Sequence, residues 1–411
     1  MRIVKVSTLR IAAYPNLCYV QLETDTGLTG LGETFFDARA VASWIHDSAA
    51  QYLIGEDPLA IERHSRALQG FLGSVGTGVE NRGRSAIDMA LWDLLGKTAG
   101  VPLYNLIGGR TRDSVRLYNT CAGPTYVRQL PDHPDLPVSN WASADPAEAL
   151  ELPSDLEAFL TDAGALAKDL LAEDITAMKI WPFDEFAEKS QGHYISSADL
   201  ETGVRPFRLI REAVGDSIDV IAELHSKWDL PSALKIAHAL EPYAPAWIED
   251  PLRMDSLDAL AGFAAGTKIP MAASETIGST AAFQDLISRS GVQVVLFDPA
   301  WVGGITEARK IAAMAAARHL PVAVHDCAGP LNYIVGVHLS CSLSNAFVQE
   351  SVRAFYRGWY RDIVTELPAV SAGQVFPTAG PGIGAELRPE VWTRSDAAVE
   401  TTTRTHPATE D

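Results

Sequence analysis

Residues 218–250 read IDVIAELHSKWDLPSALKIAHALEPYAPAWIED. Two short apolar runs, 218–224 and 245–250, bracket a helical stretch, and each run meets an acid at its end, Glu223 and Glu249. Apolar run, helix, apolar run is the pattern of a βα unit in a parallel sheet. Side chains two apart on an extended chain share a face, so Glu223 and His225 point the same way where the first run stops.

The rhythm continues on both sides. Runs at 114–119, 176–181, 269–275, 292–298, 321–325 and 345–350 bring the number to eight. Between the sixth and seventh, GITEARKIAAMAAARHL (304–320) sets Ile305, Ala308, Ile311, Ala312 and Ala315 on one stripe, with Glu307 in its first turn and Arg318 in its last. Eight units over roughly 250 residues suit a TIM-type α/β barrel. A doubly wound open sheet is the competitor, but no GxGxxG fingerprint follows a strand. The first hundred residues read as a separate α+β unit. IVKVSTLRI and LCYVQLET alternate as strands, TDTGLTG turns the chain, and SAIDMALWDLLGKTAG carries Ala86, Ile87, Ala90, Leu91, Leu94 and Leu95 on one helical face until Gly100 and Pro102 stop it. Insertions at 122–153 and 182–203 follow the first two runs, on the face where barrel active sites are built, and are candidate lids.

Composition excludes several classes. The chain has 411 residues, 47% of them hydrophobic, and a formal charge of −19, which argues against nucleic acid or an anionic membrane as a partner. No apolar stretch approaches membrane-spanning length, and the alternating N-terminus lacks the apolar core of a signal peptide. Cys18, Cys121, Cys327 and Cys341 lie far apart without CxxC spacing, so neither a zinc site nor a disulfide framework is expected. A soluble cytoplasmic protein is the expectation, and a homo-oligomer is expected for a barrel protein of this size.

The ends of the runs carry the chemistry. Glu223, Glu249 and Glu275 close the third, fourth and fifth, each 26 residues from the next. Asp298, His325 and Glu350 close the sixth, seventh and eighth, and Lys179 lies in the second. Any one strand-end acid is more often structural; convergence at one end of neighbouring strands weakens that reading. Three carboxylates in a low-dielectric mouth repel, and a divalent cation resolves the repulsion. All-oxygen ligation points to Mg²⁺, with Mn²⁺ the alternative. Asp298 could orient His325 in one tautomer, while His225 stands on the metal side of the pocket.

These residues carry a resemblance. MKIW, AELH, WIEDP, ASET, FDPAWVGGITEARKIA, VHDCAGP and AFVQES, with GLGET, SAIDMALWDLLGK, LIGGR and GPGIGAEL, resemble the mandelate racemase-like subgroup of the enolase superfamily over about residues 3–392. The resemblance implies a (β/α)7β TIM-type barrel with an N-terminal α+β capping domain. The expected divisions are a cap at 1–112, a barrel at 113–350, a C-terminal segment at 351–392 completing the cap, and a disordered tail at 393–411. It implies that Glu223, Glu249 and Glu275 hold Mg²⁺ and that Asp298 and His325 form a dyad. Racemases of the subgroup carry Lys-x-Lys on the second strand; here the motif is Lys179-Ile180-Trp181. His225 instead follows the third-strand ligand by two positions, as in galactonate- and gluconate-dehydratase-like members, although their first ligand is usually Asp rather than Glu223. The implied reaction removes the proton α to a carboxylate through a metal-stabilised enediolate. His325 would be the base and His225 the acid for a leaving 3-hydroxyl, with Lys179 and Glu350 at the substrate carboxylate. Trp181 and Trp301 are expected to line the pocket, and Arg353, in RAFYRGWY (353–360), to contact substrate. The expectation is therefore an acid-sugar dehydratase, a hydro-lyase yielding a 2-keto-3-deoxy acid. Racemase, epimerase or cycloisomerase chemistry through the same intermediate is the alternative, and a silent binding protein the remote one.

Overall fold

The computed structural model describes residues 1–69, 78–126 and 154–403. The N-terminal sheet contains β1 (Ile3–Ile11), β2 (Tyr14–Thr24) and β3 (Thr29–Phe35), all antiparallel. β3 lies directly on the helix Val79–Ala99. Gly30 and Gly32 permit the approach: a Cβ on Gly32 would fall 1.9 Å from the Ala86 carbonyl oxygen, and one on Gly30 2.1 Å from that of Ala90. Gly100, at φ 68°, caps the helix in the left-handed region that glycine favours.

The eight apolar runs become eight short parallel strands. They are β4 (Val115–Thr120), β5 (Ala177–Ile180), β6 (Asp219–Glu223), β7 (Ile248–Glu249), β8 (Met271–Ala273), β9 (Val294–Phe297), β10 (Val322–Val324) and β11 (Ala346–Ser351). Each pairs in parallel with the next, and β11 pairs with β4, with Glu350 opposite Tyr118. That last pairing closes the sheet into a barrel and removes the open-sheet alternative. Tyr118, Ile221, Trp247, Ala272, Leu296 and Val348 fill part of its interior. The predicted helix after the sixth run is Gly304–Ala316 with the predicted stripe buried; Arg318 falls just beyond its end rather than in its last turn. No helix among the described residues is long and apolar enough to cross a membrane.

The helix Val79–Ala99 also fastens the N-terminal domain to the barrel. Asp88 accepts from the Thr306 amide (2.9 Å), Ser85 from the Gly303 amide (2.9 Å), and Asn81 donates to the Trp301 carbonyl (2.5 Å). Beyond the barrel, β12 (Ala369–Ser371) and β13 (Gln374–Phe376) form a hairpin that adds antiparallel to β4, so this part of the C-terminal segment extends the barrel sheet. Further on, the Gly382 carbonyl accepts from Leu103 (2.7 Å) and the Ile383 amide donates to Asp93 (2.9 Å), which joins the segment to the N-terminal domain.

The expectation of a disordered tail at 393–411 is corrected for residues 393–403, while 404–411 lie outside the described residues. β14 (Ala397–Thr403) pairs antiparallel with β1 along seven positions, giving the sheet order β14-β1-β2-β3. Its polar, Thr-rich sequence lacks an apolar face to bury, but threonine suits an extended edge and the unpaired side of β1 supplies the ladder. Most of the 122–153 insertion lies outside the described residues.

His338 ties the barrel to the C-terminal segment. Its Nε2 lies 2.9 Å from the Thr378 hydroxyl and 3.2 Å from the Ile383 carbonyl, while its buried Nδ1 has no hydrogen-bond partner among the described residues. Burial therefore lowers its pKa to about 4, because a second proton would be stranded. The unfolded chain takes up that proton below about pH 6.5 and the folded chain only near pH 4. This histidine's contribution is thus complete above pH 6.5 and lost as pH falls through that window. The difference in unfolding free energy between wild type and His338→Gln is expected to shrink by up to about 1.4 kcal/mol per pH unit there. A difference independent of pH in denaturant titrations would show that the imidazole is not held neutral.

Candidate active site

Glu223 and Glu249 end β6 and β7 and stand opposite each other in the ladder; Glu275 follows β8 by two residues. All three are buried, and each offers a carboxylate oxygen within 4.8 Å of the other two. Glu223 Oε2 and Glu275 Oε2 have no hydrogen-bond partner among the described residues. Burial and the neighbouring Glu249 push the Glu223 carboxyl well above its ordinary range, against the pull of Lys179. Burial also raises Glu275, against the pull of His325. A cluster that resists its own ionisation, with unbonded oxygens turned inward, can hold a divalent metal ion.

Lys179, on β5, answers part of that charge. Its Nζ lies 2.5 Å from Glu249 Oε1, 2.8 Å from Glu350 Oε1 and 3.4 Å from Glu223 Oε2. Burial opposes its charge, but Glu249 and Glu350 hold its pKa well above the ordinary lysine value. Glu350, on β11, also accepts from the Thr120 hydroxyl and from the Asp326 amide (3.0 Å). Although burial works against ionisation, Lys179 and His325 keep this carboxyl below its usual range.

His325 follows β10. Its Nδ1 is 2.6 Å from Asp298 Oδ2, and its Nε2 is 4.0 Å from Glu350 Oε2. Asp298 is itself fixed by the Ala300 amide on its other oxygen (2.7 Å). Against burial, the carboxylates of Glu350, Glu275 and Asp298 raise the imidazole pKa to about 10. His225 is placed by different means. The chain turns sharply after β6, with φ of 49° at His225 and 57° at Ser226, and the His225 amide donates to Glu223 Oε1 (2.6 Å). Its Nδ1 lies 2.8 Å from Asp184 Oδ2. Each imidazole thus has a carboxylate on Nδ1, which directs Nε2 to any proton transfer.

Between the N-terminal domain and the strand ends is a cavity of about 950 Å³ whose lining includes Phe36, Arg82, His225, Glu275 and Trp301. The Trp301 ring lies 5.3 Å from that of His325 and 4.9 Å from the Arg82 guanidinium carbon. Trp181 is placed differently from Trp301. It is buried, lies edge-on to His225 (5.7 Å) and packs on Tyr126 and Phe159 (5.3 Å each). Arg353 is a correction. Its guanidinium is held by Asp155 (2.7 Å on two nitrogens), Asp169 (2.7 Å) and Glu173 (3.0 Å), so it braces the helix Asp155–Ala172 instead of facing the cavity.

Residues 162–391 match the model of the enolase C-terminal domain-like family, and residues 6–108 that of the mandelate racemase / muconate lactonizing enzyme N-terminal domain. The chain belongs to the enolase superfamily. Its match to both domains places it in the mandelate racemase/muconate lactonizing enzyme family, as the resemblance implied. Similar solved structures of the superfamily include an enolase of the mandelate racemase subgroup from Agrobacterium tumefaciens. It is 44% identical with a TM-score of 0.86, over 98% of this chain and 99% of that one. A superfamily member from Salmonella Typhimurium is 25% identical with a TM-score of 0.84, over 98% of this chain and 100% of that one. Among curated relatives, the D-galactonate dehydratase of Pectobacterium atrosepticum is 29% identical over 95% of this chain and 93% of its own length. That of Xanthomonas euvesicatoria is 29% identical over 96% and 94%.

Two residues of this superfamily site escaped the sequence reading. Thr120 carries no signal beyond its place at the end of β4. Asp184 opens the helix Asp184–Ser190 inside the 182–203 insertion, and only the insertion's place after the second run pointed toward the site. Asp184 also accepts from Lys227 (2.8 Å). Burial would raise its carboxyl, but His225 and Lys227 hold it below its usual range. A double-mutant cycle of Asp184→Asn and Lys227→Met is expected to give a coupling of about 1 kcal/mol or more in unfolding free energy, because both groups are largely shielded from solvent. Strict additivity would show that the pair is screened and does not fix Asp184.

Proposed function

We propose that this protein is a Mg²⁺-dependent acid-sugar dehydratase, with Mn²⁺ as the alternative ion. It would remove the proton α to a substrate carboxylate and eliminate the 3-hydroxyl, leaving a 2-keto-3-deoxy acid. The observation that carries the reading is the presence of two carboxylate-held imidazoles, His225 on Asp184 and His325 on Asp298, at one buried acidic triad. The relatives named D-galactonate dehydratase support the same class of substrate and reaction. The absence of a second lysine at Lys179-Ile180-Trp181 favours elimination over two-base racemisation.

Glu223, Glu249 and Glu275 would hold the ion; three hard oxygen donors with two unbonded Oε2 atoms fit Mg²⁺. When bound, the ion supplies positive charge beside the substrate carboxylate as the α-proton leaves. Lys179 adds a second positive charge there, and Glu350 orients Lys179. His325 takes the α-proton on Nε2 in its neutral form. That form requires the positive charge of an ion at the triad to offset the pull of Glu275 and Glu350, which otherwise keeps the ring protonated. Asp298 stabilises the resulting imidazolium through Nδ1. His225 gives its Nε2 proton to the departing 3-hydroxyl, with Asp184 keeping the ring oriented. The C2–H and C3–O bonds break, water leaves, and the enol becomes the ketone. The N-terminal domain contributes residues such as Phe36 and Arg82 to the cavity at the strand ends.

Two experiments test this. Mg²⁺ is expected to raise the melting temperature of the wild type in a saturable way and to have no such effect on Glu249→Gln, which loses one ligand charge. Equal shifts in both proteins would remove the triad from metal binding. With acid sugars and Mg²⁺ present, His325→Asn is expected to abolish both keto-acid release and exchange of the α-proton with deuterated solvent. His225→Asn is expected to lose keto-acid release by about 10²–10⁴-fold while His325 remains able to remove the α-proton. Normal dehydration by His225→Asn, or wild-type exchange by His325→Asn, would refute these roles.

A further inference from the structure

The cavity that Glu275 and His225 line is also lined by three arginines of the N-terminal domain, Arg10, Arg39 and Arg82. That is unexpected in a chain of net charge −19. The acids on the same lining do not cancel them all. Asp396 is engaged by Arg394 (2.8 and 2.9 Å) and by the Ala13 amide (3.2 Å), Glu275 belongs to the triad, and Asp37 acts on Arg82. Arg10 and Arg39 form no ion pair with any carboxylate among the described residues, and the buried Arg10 Nε has no hydrogen-bond acceptor. Arg82 is stacked on Phe36 (5.3 Å) and Trp301 (4.9 Å) and donates to the Phe35 carbonyl (2.5 Å), so its charge is fixed at the wall. Burial lowers its pKa to about 10, which still leaves it charged at neutral pH. The Trp301 ring is in contact with both His325 (5.3 Å) and Arg82 (4.9 Å).

An unpaired guanidinium with a desolvated, unsatisfied N–H is a costly arrangement unless an acceptor arrives. A neutral terminal CH₂OH offers little to such a wall. We propose that the substrate carries a second anionic group, a carboxylate or phosphate, at the end remote from the reacting carboxylate, and that Arg10 and Arg39, beside Arg82, bind it. This rests on the dehydratase reading and narrows its substrate to acid sugars charged at both ends. The reacting carboxylate lies at the triad and Lys179, the chain of hydroxylated carbons passes His225 and Trp301, and the far anion meets the guanidiniums. Planar guanidinium donors match either a carboxylate or a phosphate in pairs.

The test is a matched panel assayed for keto-acid release with Mg²⁺. It contains C5 and C6 aldonates, the aldarates of the same configurations, and the same aldonates phosphorylated on the terminal hydroxyl. At least one doubly anionic member is expected to exceed its matched monoacid by roughly tenfold or more in kcat/KM; which arm wins identifies the far group. In Arg10→Met and in the exposed, fold-neutral Arg39→Gln, that ratio is expected to collapse through KM, and Arg10→Lys is expected to recover part of it. If a monoacid matches or exceeds every doubly charged analogue, or if the ratio survives both substitutions, the proposal fails while the dehydratase reading stands. If no acid sugar of any class loses water or exchanges its α-proton, both fail together.

Discussion

Mutual repulsion among Glu223, Glu249 and Glu275 is the constraint around which the rest is arranged. Parallel strands of a closed barrel bring their ends to one rim, so three acids placed there meet in a medium that screens poorly. Lys179 relieves part of the repulsion and in doing so is itself bound to Glu350, whose other contacts reach Thr120 and Asp326. The charge problem therefore couples β4, β5, β6, β7, β10 and β11 into one buried network. Removing Lys179 leaves the carboxylates of Glu249 and Glu350 buried without compensation, which is more damaging than losing a surface ion pair.

The N-terminal domain completes what the strands begin. Its helix Val79–Ala99 lies so close beneath β3 that only glycine fits at two points, and the same helix bonds to the loop that presents Trp301. The aromatic wall of the cavity is thereby positioned by the cap as much as by the barrel. Fixing Phe36, Arg82 and Trp301 as one stack gives the cavity a rigid side against which a flexible polyhydroxy chain can be ordered.

The barrel was legible because its signals are local. Each strand is short and largely buried, so it appears as a brief apolar run, and an acid or histidine at or just beyond the end of most of them marks the rim. Even β7, two residues long, was visible because Glu249 follows an apolar run. The capping helix was legible from its 3.6-residue spacing. What stayed hidden depends on contacts distant in sequence. Asp184 reaches His225 across 41 positions, from an insertion with no periodicity of its own. Arg353 read as a cavity residue because it follows a strand end, yet three acids at 155, 169 and 173 capture it. β14 was hidden because an edge strand needs only a neighbour's free backbone, and backbone vacancies leave no mark in side-chain composition. Trp181 gave its position but not its direction, which period-2 alternation alone cannot fix once the strand stops.

The closure of the barrel has a consequence in time as well as in space. Thr120 and Glu350, which bond across the β4–β11 seam, are 230 residues apart, and Lys179 bridges from β5 to the same carboxylate. Contacts of such high sequence separation are costly in loop entropy and slow folding. A chain that has formed its helices and most of its strands still lacks the ammonium–carboxylate pair on which the site's electrostatics rest. Chemical competence therefore requires the ring to be closed, whatever the order in which its strands assemble.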